Sequence, residues 1–122
     1  IIECNVVTIT ELTMDGNTCS GSGEGFYSAG LTLYDNETAM VLTQLTLINN
    51  SSSKTLASAC YIRFVDAVTI DNSTFNANTS EVSTGTFGTM YLIATSSATF
   101  TIKNSTFKDN KGAGSSAIHA LV

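Results

Sequence analysis

The sequence predicts an all-β fold, a parallel β-helix or solenoid of about four coils with no substantial helix. Three observations carry this reading. The eleven residues VTIDNSTFNAN (Val68 to Asn78) return 32 positions later as FTIKNSTFKDN (Phe100 to Asn110), identical at seven of eleven places. A repeat of this length marks one supersecondary unit stacked on its neighbour. A second family of apolar runs keeps time with the first: GLTLY (Gly30 to Tyr34), CYIRF (Cys60 to Phe64), MYLIA (Met90 to Ala94) and AIHALV (Ala117 to Val122). With Leu33, Ile62 and Leu92 equivalent, the steps are 29 and 30. Finally, each copy begins apolar, Thr, apolar, the period-2 alternation of a short strand.

Fainter copies precede the two strong ones. Leu45 to Asn49 align with Val68 to Asn72, and Val7, Thr8, Ile9 and Met14 keep the apolar pattern of Val68, Thr69, Ile70 and Phe75. Residues 1–122 thus read as one domain with coils starting near 7, 45, 68 and 100. In such a coil, equivalent residues stack about 4.8 Å apart. The expected inward columns are Val7, Leu45, Val68, Phe100 and Ile9, Leu47, Ile70, Ile102; Thr8, Thr46, Thr69 and Thr101 form an outward one. Asn49, Asn72 and Asn104 share the column after the strand, with Glu11 in the first coil. A sharp bend is needed there and Asn tolerates the left-handed conformation. Stacked Asn amides also bond along a ladder. Phe75 and Phe107 make a further inward stack, and Asn78 and Asn110, three residues on, are read as inward and hydrogen-bonded.

This F-x-x-N pattern, with the small-residue run GSSAIHAL (Gly114 to Leu121) before an apolar strand, resembles the repeats of right-handed parallel β-helix surface proteins. The chlamydial polymorphic membrane proteins, with F-x-x-N and G-G-A-I repeats, and the wider pectin-lyase-like superfamily share the pattern. Ser115 and Ser116, or Gly88 and Thr89 one coil earlier, stand where those repeats have a glycine pair. The resemblance implies a right-handed coil and an extracellular or cell-surface location.

Composition narrows the partners. The chain has 19 Thr and 15 Ser, no Pro, 12% charged residues and a net charge of -5. Half-exposed strands suit Thr. Only five Lys and Arg are present, so nucleic acid and anionic membrane find no basic patch. No run approaches 18 apolar residues, so no membrane-spanning helix is expected. The start IIECNVV has neither a basic segment nor a cleavage site, the mark of a mature chain or an excised segment.

Six N-x-S/T sequons and three cysteines favour an extracellular origin. Asn36, after Asp35, and Asn50, one place outside the expected ladder, are the favoured glycan acceptors. Asn49, Asn72, Asn78 and Asn104 are secondary ones, because the repeat assigns their amides to ladders. A Cys4–Cys19 disulfide would tie down the first copy, worth about 3 kcal/mol in the chain-entropy model. Cys60 is then left as a small buried hydrophobe. His119 is alone and no C-x-x-C occurs, so no metal is expected.

Lyase or hydrolase chemistry needs clustered carboxylates. The ten acids are scattered, and Asp71 becomes Lys103 one repeat on, which fits an outward ion pair. Neither a catalytic centre nor a cofactor is expected, and Asp66 and Asp71 are the acids whose replacement tests this. The main expectation is a structural or adhesive solenoid. A carbohydrate- or ice-binding surface is the runner-up, weakened because among the aligned strand copies T-x-T occurs only at Thr8 with Thr10 and Thr99 with Thr101. Neither IIECNVV nor SAIHALV reads as a polar cover for an end coil. The chain is therefore expected to continue as a longer solenoid or to associate end to end as a filament.

Overall fold

A computed structural model describes residues 6–20, 28–53, 57–81, 88–112 and 117–121. Among them there is no helix. The strands in chain order are β1 (Val6–Thr10), β2 (Thr13–Asp15), β3 (Thr18–Cys19), β4 (Leu31–Thr43), β5 (Thr46–Ile48), β6 (Ser51–Ser52), β7 (Ala57–Asp71), β8 (Thr74–Asn76), β9 (Thr79–Ser80), β10 (Gly88–Lys103), β11 (Thr106–Lys108) and β12 (Ile118–Leu121). They form three sheets, ordered β1-β4-β7-β10-β12, β2-β5-β8-β11 and β3-β6-β9. Every pairing between them is parallel. The chain passes from the first sheet to the second to the third and back, in the same cyclic order, so each strand lies beside its counterpart from the next pass.

Two bends make this possible. Glu11, Gln44, Asn72 and Asn104 join the first sheet to the second, with φ of 61°, 56°, 49° and 49°. Five residues later Gly16, Asn49, Ala77 and Asp109 join the second to the third, with φ of 69°, 55°, 54° and 54°. Left-handed backbone is costly for most side chains and least so for Gly, Asn and Asp, the types that recur here.

The observed register corrects two of the expected columns. Leu45 does not stack with Val68, because Met40 does: Val7, Met40, Val68 and Phe100 form one inward column and Ile9, Leu42, Ile70 and Ile102 the next. Leu47 belongs instead with Met14, Phe75 and Phe107. The second copy of the motif therefore begins at Met40, not near residue 45. The two apolar families do not form separate strands either, since β4, β7 and β10 each run through both. Leu33, Ile62 and Leu92 are paired as expected, with Ala120 beyond them.

The core is these columns. Met40, Leu42, Leu45, Leu47, Ile62, Val68, Ile70, Phe75, Met90 and Leu92 are all at most 1% exposed. Phe75 and Phe107 stack with centroids 4.5 Å apart and planes 3° from parallel, one layer step. Packing is close enough that a Cβ at Gly30 would collide with the carbonyl oxygen of Ala59.

Ala77 is the odd member of its bend column, carrying a Cβ at φ 54° without a side chain suited to that region. Ala77→Gly is expected to stabilise the protein by about 0.5 to 1 kcal/mol, relief of left-handed strain exceeding the flexibility that Gly adds to the unfolded chain. Urea unfolding, read as a midpoint shift at constant slope, checks this.

Candidate functional site

The motif's last residue builds the feature that sets this stack apart, a column of four asparagine side chains at the inner edge of the second bend. Asn50 Oδ1 accepts from the backbone N–H and from Nδ2 of Asn17, at 3.1 and 3.0 Å. Asn78 Oδ1 accepts from the same two groups of Asn50, both at 3.0 Å. Asn110 Oδ1 repeats the arrangement on Asn78, again at 3.0 Å. The remaining amide proton of each donates to a strand carbonyl of the layer before: Asn50 to Met14, Asn78 to Leu47 and Asn110 to Phe75, at 3.1, 2.8 and 2.8 Å. Asn50 and Asn78 are wholly buried. An amide has two donors and an acceptor, and at Asn50 and Asn78 all are used, which is what lets a polar group sit in a core.

At the first bend serine does related work. Ser73 Oγ donates to the carbonyl of Asp71 and accepts from the backbone N–H of Leu45, at 2.8 and 3.1 Å. Ser105 does the same for Lys103 and Ser73.

The ladder expected at Asn49, Asn72 and Asn104 is not formed by these three together. Asn72 and Asn104 share the first bend with Gln44 and Glu11, whereas Asn49 sits on the second with Ala77 and Asp109. All three are exposed. Their amides face outward: Asn104 Nδ2 donates to Asp71 Oδ1 at 3.0 Å and Asn49 Nδ2 to Asp15 Oδ1 at 2.9 Å. Asn50 is the larger correction. It does not lie outside the ladder but forms its centre, so its amide is not open to a sugar in the folded chain. Asn36 falls on β4 where pairing with β7 skips between Tyr34 and Glu37; its side chain lies outside the described residues. Among the described residues, the sequons exposed at both the Asn and the hydroxyl two places on are those of Asn72 with Thr74 and Asn104 with Thr106.

On the outer surface the second sheet carries an unbroken threonine column, Thr13, Thr46, Thr74 and Thr106. The column expected from Thr8, Thr46, Thr69 and Thr101 has Val41 in place of Thr46. Several charged side chains are engaged locally. Lys103 Nζ lies 3.3 Å from Asp71 Oδ2, the outward ion pair expected between repeats. The Asn104 amide, then Lys103, hold the Asp71 carboxyl below its usual range. Asp66 Oδ1 accepts from Thr95 Oγ1 at 2.8 Å. Among the described residues no three of His, Cys, Asp and Glu come together in a metal-binding group. His119 continues an aromatic column on Tyr91 and Tyr61, with centroids 5.0 and 5.7 Å apart, and its Nε2 is buried without a hydrogen-bond partner.

Cys60 is fully buried, paired with Leu31 and Met90 in the core. Cys19 is half-buried, and among the described residues both are free thiols. Cys4, the expected partner of Cys19, lies outside the described residues. No helix among the described residues is long and apolar enough to cross a membrane. Comparison with protein-family models, with curated proteins and with solved structures gives no match.

Two outcomes follow from these side chains. Asn78→Ala removes an amide that serves four hydrogen bonds and strands its buried partners, so it is expected to cost about 3 to 5 kcal/mol in a denaturant titration. Burial pushes the Cys60 thiol from 9.0 up to about 12. A folded-state value above the unfolded one means stability is full below about pH 9 and falls as pH rises toward 12, by about 1.4 kcal/mol per unit. Cys60→Ala should flatten that alkaline slope when unfolding free energies at pH about 8 and about 10.5 are compared.

Proposed function

We propose that the chain is a right-handed parallel β-helix of about four coils and that it serves as a non-catalytic, extracellular or cell-surface structural or adhesive solenoid. The three-sheet cyclic order supports the coil, and the handedness follows the resemblance to β-helix surface proteins. One observation carries the functional reading: the polar side chains that the motif repeats inward, its Asn and Ser, are consumed in holding one layer to the next. A motif spent in this way is a construction unit, and repeating it yields a rod whose outer face is the product. Three acids of the strands are likewise engaged outward, Asp71 with Asn104 and Lys103, Asp15 with Asn49, and Asp66 with Thr95.

A carbohydrate-binding surface is the second reading, favoured by the unbroken column Thr13, Thr46, Thr74 and Thr106, whose hydroxyls repeat at the layer spacing. In either case the rod is a glycoprotein, with sugars at the exposed Asn72 and Asn104.

Material from the native source tests this in one set of measurements. Glycopeptide mass spectrometry is expected to find Asn72 and Asn104 occupied and Asn50 and Asn78 bare. Incubation with polygalacturonate and other acidic polysaccharides is expected to leave them intact. Turnover lost on replacing Asp66 or Asp71 would show an enzyme instead. Retention on insoluble polysaccharide, weakened by Thr74→Lys without loss of fold, would favour the second reading.

A further inference from the structure

The middle layers carry two kinds of sequon. At Asn72 the amide and the hydroxyl residue Thr74 are both exposed. At Asn50 and Asn78 the same three-residue signal faces inward. Both amides are wholly buried, and so are the hydroxyl residues that complete their signals, Ser52 at 0% and Ser80 at 5% exposure. The second-sheet strands before them, β5 and β8, each lie between two others, so this burial belongs to the stack itself.

Attaching a sugar changes such an amide as a hydrogen-bonding group. Nδ2 displaces a diphosphate from C1 of an activated oligosaccharide. The Nδ2–C1 bond forms, the C1–O bond breaks with its electron pair leaving on the diphosphate, and one Nδ2 proton is lost to solvent. One N–H then remains where two are in use. Asn50 Nδ2 donates to the Met14 carbonyl and to Asn78 Oδ1. Asn78 Nδ2 donates to the Leu47 carbonyl and to Asn110 Oδ1. A modified amide leaves one of its two acceptors without that donor and sets a pyranose ring where layers are already in contact.

We infer that folding and N-glycosylation exclude one another at Asn50 and Asn78. Closing the layers withdraws both amides from a glycosyltransferase, and a sugar on either one first bars the layers from closing. The sugar that folded chains carry at Asn72 is accordingly added to the closed coil.

Chain length sets which event comes first. The side chain that completes the bonding of Asn50, Asn78, lies 28 residues further on, and the one that completes Asn78, Asn110, lies 32 further. At a synthesis rate of about 5 to 20 residues per second, each amide stays open for roughly 1 to 6 seconds after it is made. Transfer coupled to synthesis therefore meets Asn50 and Asn78 before the relay can form. A transferase that meets the closed coil finds Asn72 and neither of the other two.

This deepens the glycoprotein reading proposed above, and the two fail separately. The chain is produced in a eukaryotic secretory host, where oligosaccharide transfer accompanies synthesis, and divided by sedimentation into soluble and aggregated fractions. Circular dichroism confirms the fold of the soluble one. Glycopeptide mass spectrometry is expected to find sugar at Asn50 and Asn78 in the aggregated fraction alone, and soluble chains bare at both. Ser80→Ala removes the signal at Asn78 and keeps its amide, and the Ser80 hydroxyl is buried with no hydrogen-bond partner, so its loss spares the fold. Ser52→Ala does the same for the signal at Asn50. Production in a bacterial cytoplasm without such transfer measures what either change costs in folding. Relative to that baseline, Ser80→Ala is expected to raise the soluble yield in the secretory host about twofold, and the double variant further. Folded, soluble protein with sugar on Asn50 or Asn78 would overturn the inference. So would both amides bare in both fractions, or yields indifferent to the substitutions. Native material without sugar at Asn72 would overturn the glycoprotein reading and leave the competition at Asn50 and Asn78 standing.

Discussion

Everything in this stack depends on one directional hydrogen-bond relay, the asparagine column from Asn17 to Asn110. The bend from the second sheet to the third requires left-handed backbone at Gly16, Asn49, Ala77 and Asp109. A bend so tight turns backbone N–H and C=O groups inward, where water cannot reach them. The amide that follows each bend satisfies those groups and ties them to the next layer in the same act, as Asn78 does for the Asn50 N–H and the Leu47 carbonyl. Without that residue the bend would bury unpaired polar groups at a cost of about 1 to 3 kcal/mol each. The apolar columns supply the bulk of the cohesion, but they are non-directional. The amides set how the layers face.

Much of this was legible in the sequence, and what was not failed for a physical reason. The all-β character and parallel strands, the Phe75–Phe107 stack and the equivalence of Leu33, Ile62 and Leu92 all follow from period-2 alternation and repeat spacing. The slip at Leu45 has a definite origin. The two bends lie five residues apart, and each is approached by a strand reading apolar, Thr, apolar or nearly so. LTLIN (Leu45 to Asn49) therefore matches VTIDN (Val68 to Asn72) better than it matches its true counterpart, STFNA (Ser73 to Ala77). Register is weakly specified wherever two faces share one pattern. The signal that resolves it is the terminal Asn, present at Asn17, Asn50, Asn78 and Asn110 and absent from any set shifted by five.

The same slip exchanges the expected places of two sequons. Read in the wrong phase, Asn49 belongs to the inner ladder and Asn50 lies outside it. The true phase exchanges the two, burying Asn50 and exposing Asn49. Exposure of Asn72 and Asn104 follows from a point that a linear pattern does not encode: at a left-handed bend the side chain projects away from the coil, so a residue chosen for its backbone need not have its amide occupied inside. Two roles for asparagine thus coexist in the last two motifs, one chosen for φ at Asn72 and Asn104 and one for its amide at Asn78 and Asn110, separated by a corner.

The motif itself never changes length, whereas the step from one to the next is 33, 28 and then 32 residues. That variation falls outside the motif, partly between the third sheet and the long strand of the first and partly inside that strand, where the pairing skips between Tyr34 and Glu37 and between Ile93 and Thr99, since the eleven residues from Val7, Met40, Val68 or Phe100 to the terminal Asn are locked by the relay. The stretch from the third sheet to the middle of the long strand is therefore tolerant of insertion and the two left-handed bends are not. Loop-closure entropy grows only slowly with length. Along the stack this gives a face where evolution, or an engineer grafting a peptide, can vary the chain freely while the motif's layers stay in phase.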